Sequence, residues 1–511
     1  MTDKKTGKVY LIGAGPGDPG LITVKGRDLL YSCDAVIYDH LVSDELIVAV
    51  PLGREMHYVG KKAANHPVPQ EKINALMLQL AREGKSVARL KGSDPLIFGR
   101  GGEEAKYLKE HGIEFEIVTG VTSGIAGPAY SGIPCTDRQK ASFVVFVTGH
   151  KSSDKLKTSV PWDWLAKATG GTIVIYMGVR EIEKITGQLL EYGMAPETPA
   201  AIIERGTFPS QRLVTSTIKD LAKAAQDNDI KPPALFVIGE VVDLQPWLEW
   251  FTDRPLLGKR IMVTRPADQS FEFYERLRRM GAEPMPFPTI ATEAADDPGG
   301  WKAFREISSE KGWLVFTSEN GVRYFFDLFH RHIGDIRHLG QFKIAAVGAG
   351  TAKALKKQNI SVDFIPKKAT VKTLAAAMKE NLDLDGTTVV RIRGNLAEDT
   401  LEKALTDQGA KVSSLTTYNT FHPDWPDGLK DKLLENPPHA FVFTSGSTID
   451  GLWHNLSEEE IRGLTDKADI FSLGPMVSDK LRAKGFTVTA QSEVYTIDGL
   501  IKTVKDYYNS P

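Results

Sequence analysis

The chain has 511 residues, with 63 lysines and arginines set against 65 aspartates and glutamates, and 41% of it is hydrophobic. That length exceeds what one hydrophobic core serves and predicts about three to four compact units, while a formal net charge of -2 and a globular composition exclude a disordered chain and give no electrostatic reason to bind nucleic acid. The opening MTDKKTGKVYLIGAG holds no apolar stretch fit for a secretory signal and no uncharged apolar run approaches ~18 residues, so a cytoplasmic protein with no membrane partner is expected.

Apolar β-rich runs alternate with amphipathic helical stretches from the first residues onward. VYLIGAG is followed by LITVKGRDLLYS and AVIYD, and later come IVIYMG, ALFVIGEVV, RIMVTRP and AFVFTS. This alternation predicts an α/β fold class. VYLIGAGPGDPG leaves a strand and opens a helix, with Gly13, Gly15 and Gly17 permitting tight turns and close ligand approach. It is not the dinucleotide fingerprint, because Asp18 stands where the third glycine would be and Pro16 lacks an N–H for a pyrophosphate. At the end of AVIYD stands Asp39, a residue suited either to proton transfer or to capping the next helix. Cys33 and Cys135 lie far apart with no CxxC or Cys/His cluster beside them, so buried free thiols are expected and neither a disulfide nor a metal site.

VVDLQPWLEWFTDRPLLGK breaks twice at proline after a strand-like run, which places a linker at 247–258 and a junction near Asp253. Beyond it the chain repeats itself at an offset of about 127 residues. KRIMVTRP at Lys259 matches TTVVRIRG at Thr387, and LRRMGAEPMPF at Leu277 matches LTDQGAKVSSL at Leu405. FTSENGVRYFF at Phe316 matches FTSGSTIDGLW at Phe443, and VGAGTAKAL at Val347 matches LGPMVSDKL at Leu473. Two similar α/β units follow. Each repeat sets hydroxyls or glycines between a strand and a helix, an arrangement that offers donors to an anionic ligand in a shared cleft. VGAGTA has Lys353 at the third glycine position, so a nicotinamide-dependent enzyme is disfavoured here too.

The glycine loop has company: YDHLVSDEL at Tyr38, YVGKKAANHPVPQEKIN at Tyr58, RLKGSDPLIFGRGGEE at Arg89, VTGVTSGIAGPAYSGIPCTDR at Val118, IYMG at Ile175 and IIERGT at Ile202. In order and spacing, residues 7 to 245 resemble the tetrapyrrole methylases, and most closely the uroporphyrinogen-III C-methyltransferases. The resemblance implies two α/β domains around a cleft, here 1–119 and 120–246, S-adenosylmethionine as co-substrate, a tetrapyrrole substrate and a homodimer through this half. It further implies Asp39 as proton acceptor and Lys61 as proton donor or carboxylate contact, although Lys61 alone reads as a surface lysine. Co-substrate contacts are implied at Pro16, Gly92, Ser93, Asp94, Ile97, Thr122, Ser123, Met177 and Gly206. Met177 alone reads equally as a core residue on an apolar strand. Ser93 departs from a usual glycine, Ser123 from a usual alanine, and Asp137 stands where histidine is common. A polycarboxylate substrate asks for cations, and Arg89, Lys91, Arg100 and Arg138 are candidates, against a reading as ordinary solvated charge.

From Lys259 to Tyr508 the motifs VTRP, FTSENGV, AVGAGTAKAL, TYNTF and FTSGSTI resemble uroporphyrinogen-III synthase. The resemblance implies a Rossmann-like two-domain α/β fold, with 259–289 joined to 422–511 and 290–421 as the other domain. It implies closure of hydroxymethylbilane with inversion of ring D and loss of water. Tyr418 is implied to face the cleft as a donor to the departing hydroxyl, with Thr317, Ser318, Thr444 and Ser445 on substrate carboxylates. Helix capping explains the four hydroxyls as well, and packing explains the tyrosine. The two halves together imply an enzyme that makes precorrin-2 for sirohaem or cobalamin. The alternative is an active methyltransferase whose second half only binds or scaffolds a tetrapyrrole.

Overall fold

The computed structural model describes residues 6–60, 68–149, 160–308, 310–368 and 370–510. Residues up to Thr289 together with those from Asp424 form one compact unit, and Ile290–Pro423 form a second. The described strands lie in four five-stranded sheets, two of them in the methylase-like half.

The first sheet runs Glu55–Tyr58, Ala35–Tyr38, Val87–Lys91, Val9–Gly13, Phe115–Val118, every pair parallel. Ala35–Tyr38 and Val87–Lys91 are buried along their whole length, as expected of central strands in a parallel sheet with helices on both faces. Parallel pairing delivers the loops after Gly13, Tyr38, Lys91 and Val118 to one edge of the sheet, the edge where ligands bind in open α/β folds. The second sheet runs Phe143–Thr148, Gly171–Tyr176, Ala234–Ile238, Pro199–Glu204, Arg212–Thr217. Ala234–Ile238 is antiparallel to both neighbours, with Leu235 opposite Tyr176 and Ala234 opposite Glu204. Both neighbours therefore end at the same edge, and Met177 and Gly206 follow them there, one on each side of Ala234–Ile238.

The segment after the second sheet packs rather than dangles. Trp250 Nε1 donates to the Ala129 carbonyl at 3.0 Å, Tyr130 meets the rings of Trp250 and Phe251 at 5.1 Å each, and Leu256 is fully buried.

In the second half each repeat match falls on the same element in both copies. Arg260–Val263 corresponds to Thr388–Gly394, and Gly312–Phe316 to Ala440–Phe443. The turns at Gly281 and Gly409 have φ of +87° and +83°, a left-handed conformation that glycine adopts without strain, and each leads into a strand. The copies nevertheless do not fold separately. The third sheet of the first unit runs Glu283–Pro286, Arg260–Val263, Ala440–Phe443, Asp469–Ser472, Ala490–Gln491, joining the first half of one copy to the second half of the other. That of the second unit runs Ala291–Ala294, Lys411–Phe421, Thr388–Gly394, Gly312–Phe316, Phe342–Ala346, with the reciprocal combination.

The second unit is held by an aromatic cluster. Phe325 is fully buried, with Trp301, Phe304, Phe316, Phe326 and Phe329 all at ring distances of 5.3–5.8 Å. Phe325→Ala is expected to destabilise this unit by about 3–5 kcal/mol, to be read in the denaturant-induced unfolding of the full chain as a transition shifted to lower denaturant.

Candidate functional site

At the ligand edge of the first sheet three loops meet backbone to backbone. A Cβ on Gly13 would lie 2.5 Å from the Cα of Gly120, and a Cβ on Gly120 would lie 2.4 Å from the Ser93 carbonyl oxygen, so neither position admits a side chain. Gly15 and Ser93 exchange backbone hydrogen bonds of 3.2 and 2.7 Å. Asp94 is buried and closes the turn: its Oδ1 accepts from the Leu96 and Ile97 N–H groups at 2.8 and 3.2 Å, and its Oδ2 from the Gly120 N–H at 3.0 Å. Asp94 thus shapes the cradle with a carboxylate that backbone donors already engage.

Ser93 adopts φ +67°, the region that favours the glycine it departs from. Its hydroxyl compensates by accepting the Ser123 N–H at 2.6 Å, which ties the second loop to the third. The third loop is tied in turn to the second sheet. Thr122 Oγ1 shares a 2.7 Å hydrogen bond with the Tyr176 hydroxyl, which also accepts from the Gly124 N–H at 2.7 Å. Met177, the next residue, turns to φ +54° and is 52% exposed, so it is not the core methionine that an apolar strand allows. Ile97 packs against the buried patch of Val174, Tyr176 and Leu235. The glycine loop is linked to the segment after Gly206 by the Asp18 N–H, which donates to Thr207 Oγ1 at 3.1 Å. Gly206 sits where a Cβ would come within 3.0 Å of the Gly127 Cα.

Asp39 follows the neighbouring strand at this edge. Its Oδ1 accepts the Leu41 N–H at 3.1 Å in a local turn, while the next helix, Asp44–Val48, begins at Ser43, so Asp39 is not its N-cap. Its Oδ2 lies 3.5 Å from Arg89 Nη2. Arg89 and Lys91, read as candidate substrate cations, are buried instead and share the carboxylate of the fully buried Glu104. Both point inward from a central strand, where a charge without a partner is prohibitive. Burial also lowers the proton affinity of Lys91. Arg100 is exposed at φ +59° and pairs with Glu103 at 2.7 Å, and Arg138 is exposed. Asp137 accepts the Gln139 and Lys140 N–H groups, a turn-forming role. Lys61 lies outside the described residues.

Sequence reasoning missed Tyr176 and Glu104. The tyrosine of IYMG and the second acid of GRGGEE were the available signals, but nothing in the spacing says that one hydroxyl bridges two loops or that one carboxylate faces two cations.

In the second unit Tyr418 lies just past a bulge where Arg393 pairs with Thr416 and Gly394 with Tyr418. A bulge of this kind re-aims the side chain that follows it. The Tyr418 hydroxyl meets Ser318 Oγ at 3.0 Å, and its ring stacks on Tyr324 at 5.7 Å. Ser318 also caps the helix Glu319–His332 by accepting the Gly321 N–H at 2.9 Å, so it serves both readings given to it. Thr317 is half-buried at the preceding strand end. In the first unit Thr444 and Ser445 hold the corresponding positions. Ser445 Oγ meets Ser447 Oγ at 3.0 Å and makes no capping bond, unlike Ser318.

Cys33 is buried and Cys135 half-buried, both free, and burial raises the Cys33 thiol to about 11. Among the described residues no cluster of His, Cys, Asp and Glu is arranged to hold a metal, and no helix is long and apolar enough to cross a membrane.

Two family models match the chain: tetrapyrrole (corrin/porphyrin) methylases over residues 8–222, and uroporphyrinogen-III synthase HemD over residues 272–502. The porphyrin biosynthesis protein HemD of Ruminiclostridium josui is 38% identical over 462 residues, covering 90% of this chain and 91% of that protein. The uroporphyrinogen-III C-methyltransferase of Bacillus subtilis is 38% identical over 361 residues, 71% of this chain and 74% of that protein. The S-adenosyl-L-methionine-dependent uroporphyrinogen III methyltransferase of Methanosarcina barkeri is 48% identical over 238 residues, 47% of this chain and 93% of that protein.

Asp94→Ala removes the acceptor of three backbone N–H groups and is expected to lower stability by about 3 kcal/mol, since each buried donor left unpaired costs roughly 1–3 kcal/mol less whatever water recovers. A thermal melt compared with Asp94→Asn, which keeps one acceptor oxygen, checks it.

Proposed function

The chain belongs to the family in which a tetrapyrrole methylase is fused to a uroporphyrinogen-III synthase, and from that premise we propose that it carries two consecutive activities. The synthase half closes hydroxymethylbilane to uroporphyrinogen III with loss of water and inversion of ring D. The methylase half then methylates that product at C-2 and C-7, giving precorrin-2 for sirohaem or cobalamin. The observation that carries the reading is the meeting of the glycine loop, the GSD turn and the Thr122 loop at one sheet edge, with the Asp39 carboxylate at the next strand end.

The cradle fits S-adenosylmethionine because its glycines let the loops at the ligand edge pack backbone against backbone, which brings the candidate co-substrate residues of those loops together. Pro16, Gly92, Ser93, Ile97, Thr122, Ser123, Met177 and Gly206 would hold the co-substrate, with Asp94 fixing the loop shape. S-adenosylmethionine supplies an electrophilic methyl group. The protein's share is to place a pyrrole carbon in line with it and to accept the proton that the iminium-like macrocycle loses elsewhere once that carbon's new C–C bond has formed. Asp39 is that acceptor, held by the Leu41 N–H with Arg89 at its other oxygen. Lys61, two residues past Val59 in the motif that follows, is assigned to donate a proton or to contact a substrate carboxylate, and Arg100 to bind one.

In the synthase half the Tyr418 phenol, oriented by Ser318, donates to the hydroxyl that leaves as water; the carbon so freed bonds to the substituted α-carbon of the terminal pyrrole, whose old bridge bond then breaks and re-forms at the other α-carbon, inverting ring D as that carbon's proton is lost and the phenol is reprotonated. Thr317, Ser318, Thr444 and Ser445 bind substrate carboxylates. We assign the protein to the cytoplasm, acting as a homodimer through its methylase half, which light scattering of the purified chain tests.

Incubation with hydroxymethylbilane and S-adenosylmethionine, followed by absorbance and mass, is expected to yield a doubly methylated product. Methylation only when uroporphyrinogen III is supplied would reduce the second half to a binding module. Asp39→Asn is expected to slow methyl transfer about 10²–10⁴-fold while co-substrate binding, followed by calorimetry, stays within a factor of two or so. Tyr418→Phe is expected to slow closure about 10-fold or more while methylation of supplied uroporphyrinogen III continues unchanged.

A further inference from the structure

The loop that carries Asp39 makes few restraining bonds of its own. Between the strand Ala35–Tyr38 and the helix Asp44–Val48 its backbone is closed by the Leu41 N–H on Asp39 Oδ1 and by a long 3.4 Å bond from the Val42 N–H to the Asp39 carbonyl. Within the methylase half Arg89 Nη2 reaches Asp39 Oδ2 at 3.5 Å, and further partners of the loop and its flanks come from beyond residue 258, inside the same compact unit. The Tyr38 hydroxyl, immediately before Asp39, donates to the Asp427 carbonyl at 2.8 Å. Lys432 Nζ donates to the Val42 carbonyl at 3.2 Å and to Asp44 Oδ1 at 2.5 Å. Arg278 pairs with Glu45, with side chains only 12% and 11% exposed. Val48 packs on the apolar core around Met262, Leu429 and Phe441. Gly428, at φ +81°, approaches the Tyr58 ring so closely that a Cβ would come within 2.9 Å of it.

We propose that Lys432 and Arg278 of the synthase half are positioning residues for methyl transfer, acting by clamping the loop 39–45 that holds the base. The inference rests on the function proposed above. Its physical basis is that proton abstraction is sensitive to placement on the scale of an ångström, so that a loop fixed from one side only delivers its carboxylate to the departing proton less often. Two charge pairs and a carbonyl contact anchor this loop on the synthase half at its middle and at its end. Fusion of the two halves then has a structural consequence beyond co-expression: the second half completes the first half's site.

The test uses the full chain, with uroporphyrinogen III supplied so that methylation is measured apart from closure. Lys432→Met and, separately, Arg278→Met are expected to lower the kcat of methyl transfer about tenfold, the scale expected of a displaced catalytic group. KM for S-adenosylmethionine and the rate of hydroxymethylbilane closure should stay at wild-type values. Lys432→Arg should retain the activity, and exchanging the pair as Lys432→Asp with Asp44→Lys should restore part of what Lys432→Met loses. Variants that methylate at the wild-type rate overturn the inference. So does a parallel loss of closure, co-substrate affinity and melting temperature, which marks a purely structural seam. A wild-type chain that closes hydroxymethylbilane but does not methylate overturns the functional reading itself, and the inference with it.

Discussion

The contact of backbone with backbone at Gly13, Ser93 and Gly120 is the constraint from which the methylase half is built. These three residues end or follow three neighbouring parallel strands, and their approach leaves no space for a Cβ at either glycine. Once the loops touch, Asp94 has donors from two of them within reach and Ser93 can accept from the start of the third loop's helix. The cradle is therefore rigid through hydrogen bonds between loops rather than through buried apolar side chains. Tyr176 extends the same logic to the second sheet, since one phenol satisfies a hydroxyl and an N–H of the third loop.

Behind the cradle lies a charge network of a different kind. Glu104 is fully buried and stands between Arg89 and Lys91, and Gln70 donates to it at 3.0 Å. Such a group contributes little net stability compared with an apolar core, but removing any one member leaves the others buried without compensation. Its use here is orientation: Arg89 spans from Glu104 to Asp39, so the Asp39 carboxylate is set by a cation whose own position is fixed from the far side.

The synthase half solves a different problem. Its two copies trade halves, so that each sheet pairs strands from both, and each unit's sheet is completed by distant sequence. The exchange puts Gly312–Phe316 beside Thr388–Gly394 and so brings Ser318, after the first, to the Tyr418 that follows the bulge beside the second. Duplication alone would have supplied two similar units, whereas the exchange supplies a hydrogen bond between residues a hundred positions apart.

By itself the sequence determined the α/β class, the repeat of the second half with its paired glycine turns, and the loops that carry the candidate co-substrate residues. These are local properties: alternation of apolar runs, glycine where φ is positive, and motifs at fixed spacing all act within a few residues. Tertiary structure alone decided that Arg89 and Lys91 face Glu104 rather than a substrate, that Met177 is exposed rather than in the core, and that Asp39 turns back on its own loop rather than capping the next helix. It also decided the exchange of strands and the seam at Lys432 and Arg278. Each of these depends on which distant segments pair, and a charge or a hydroxyl read along the chain is the same residue whether it meets water, a ligand or a buried partner.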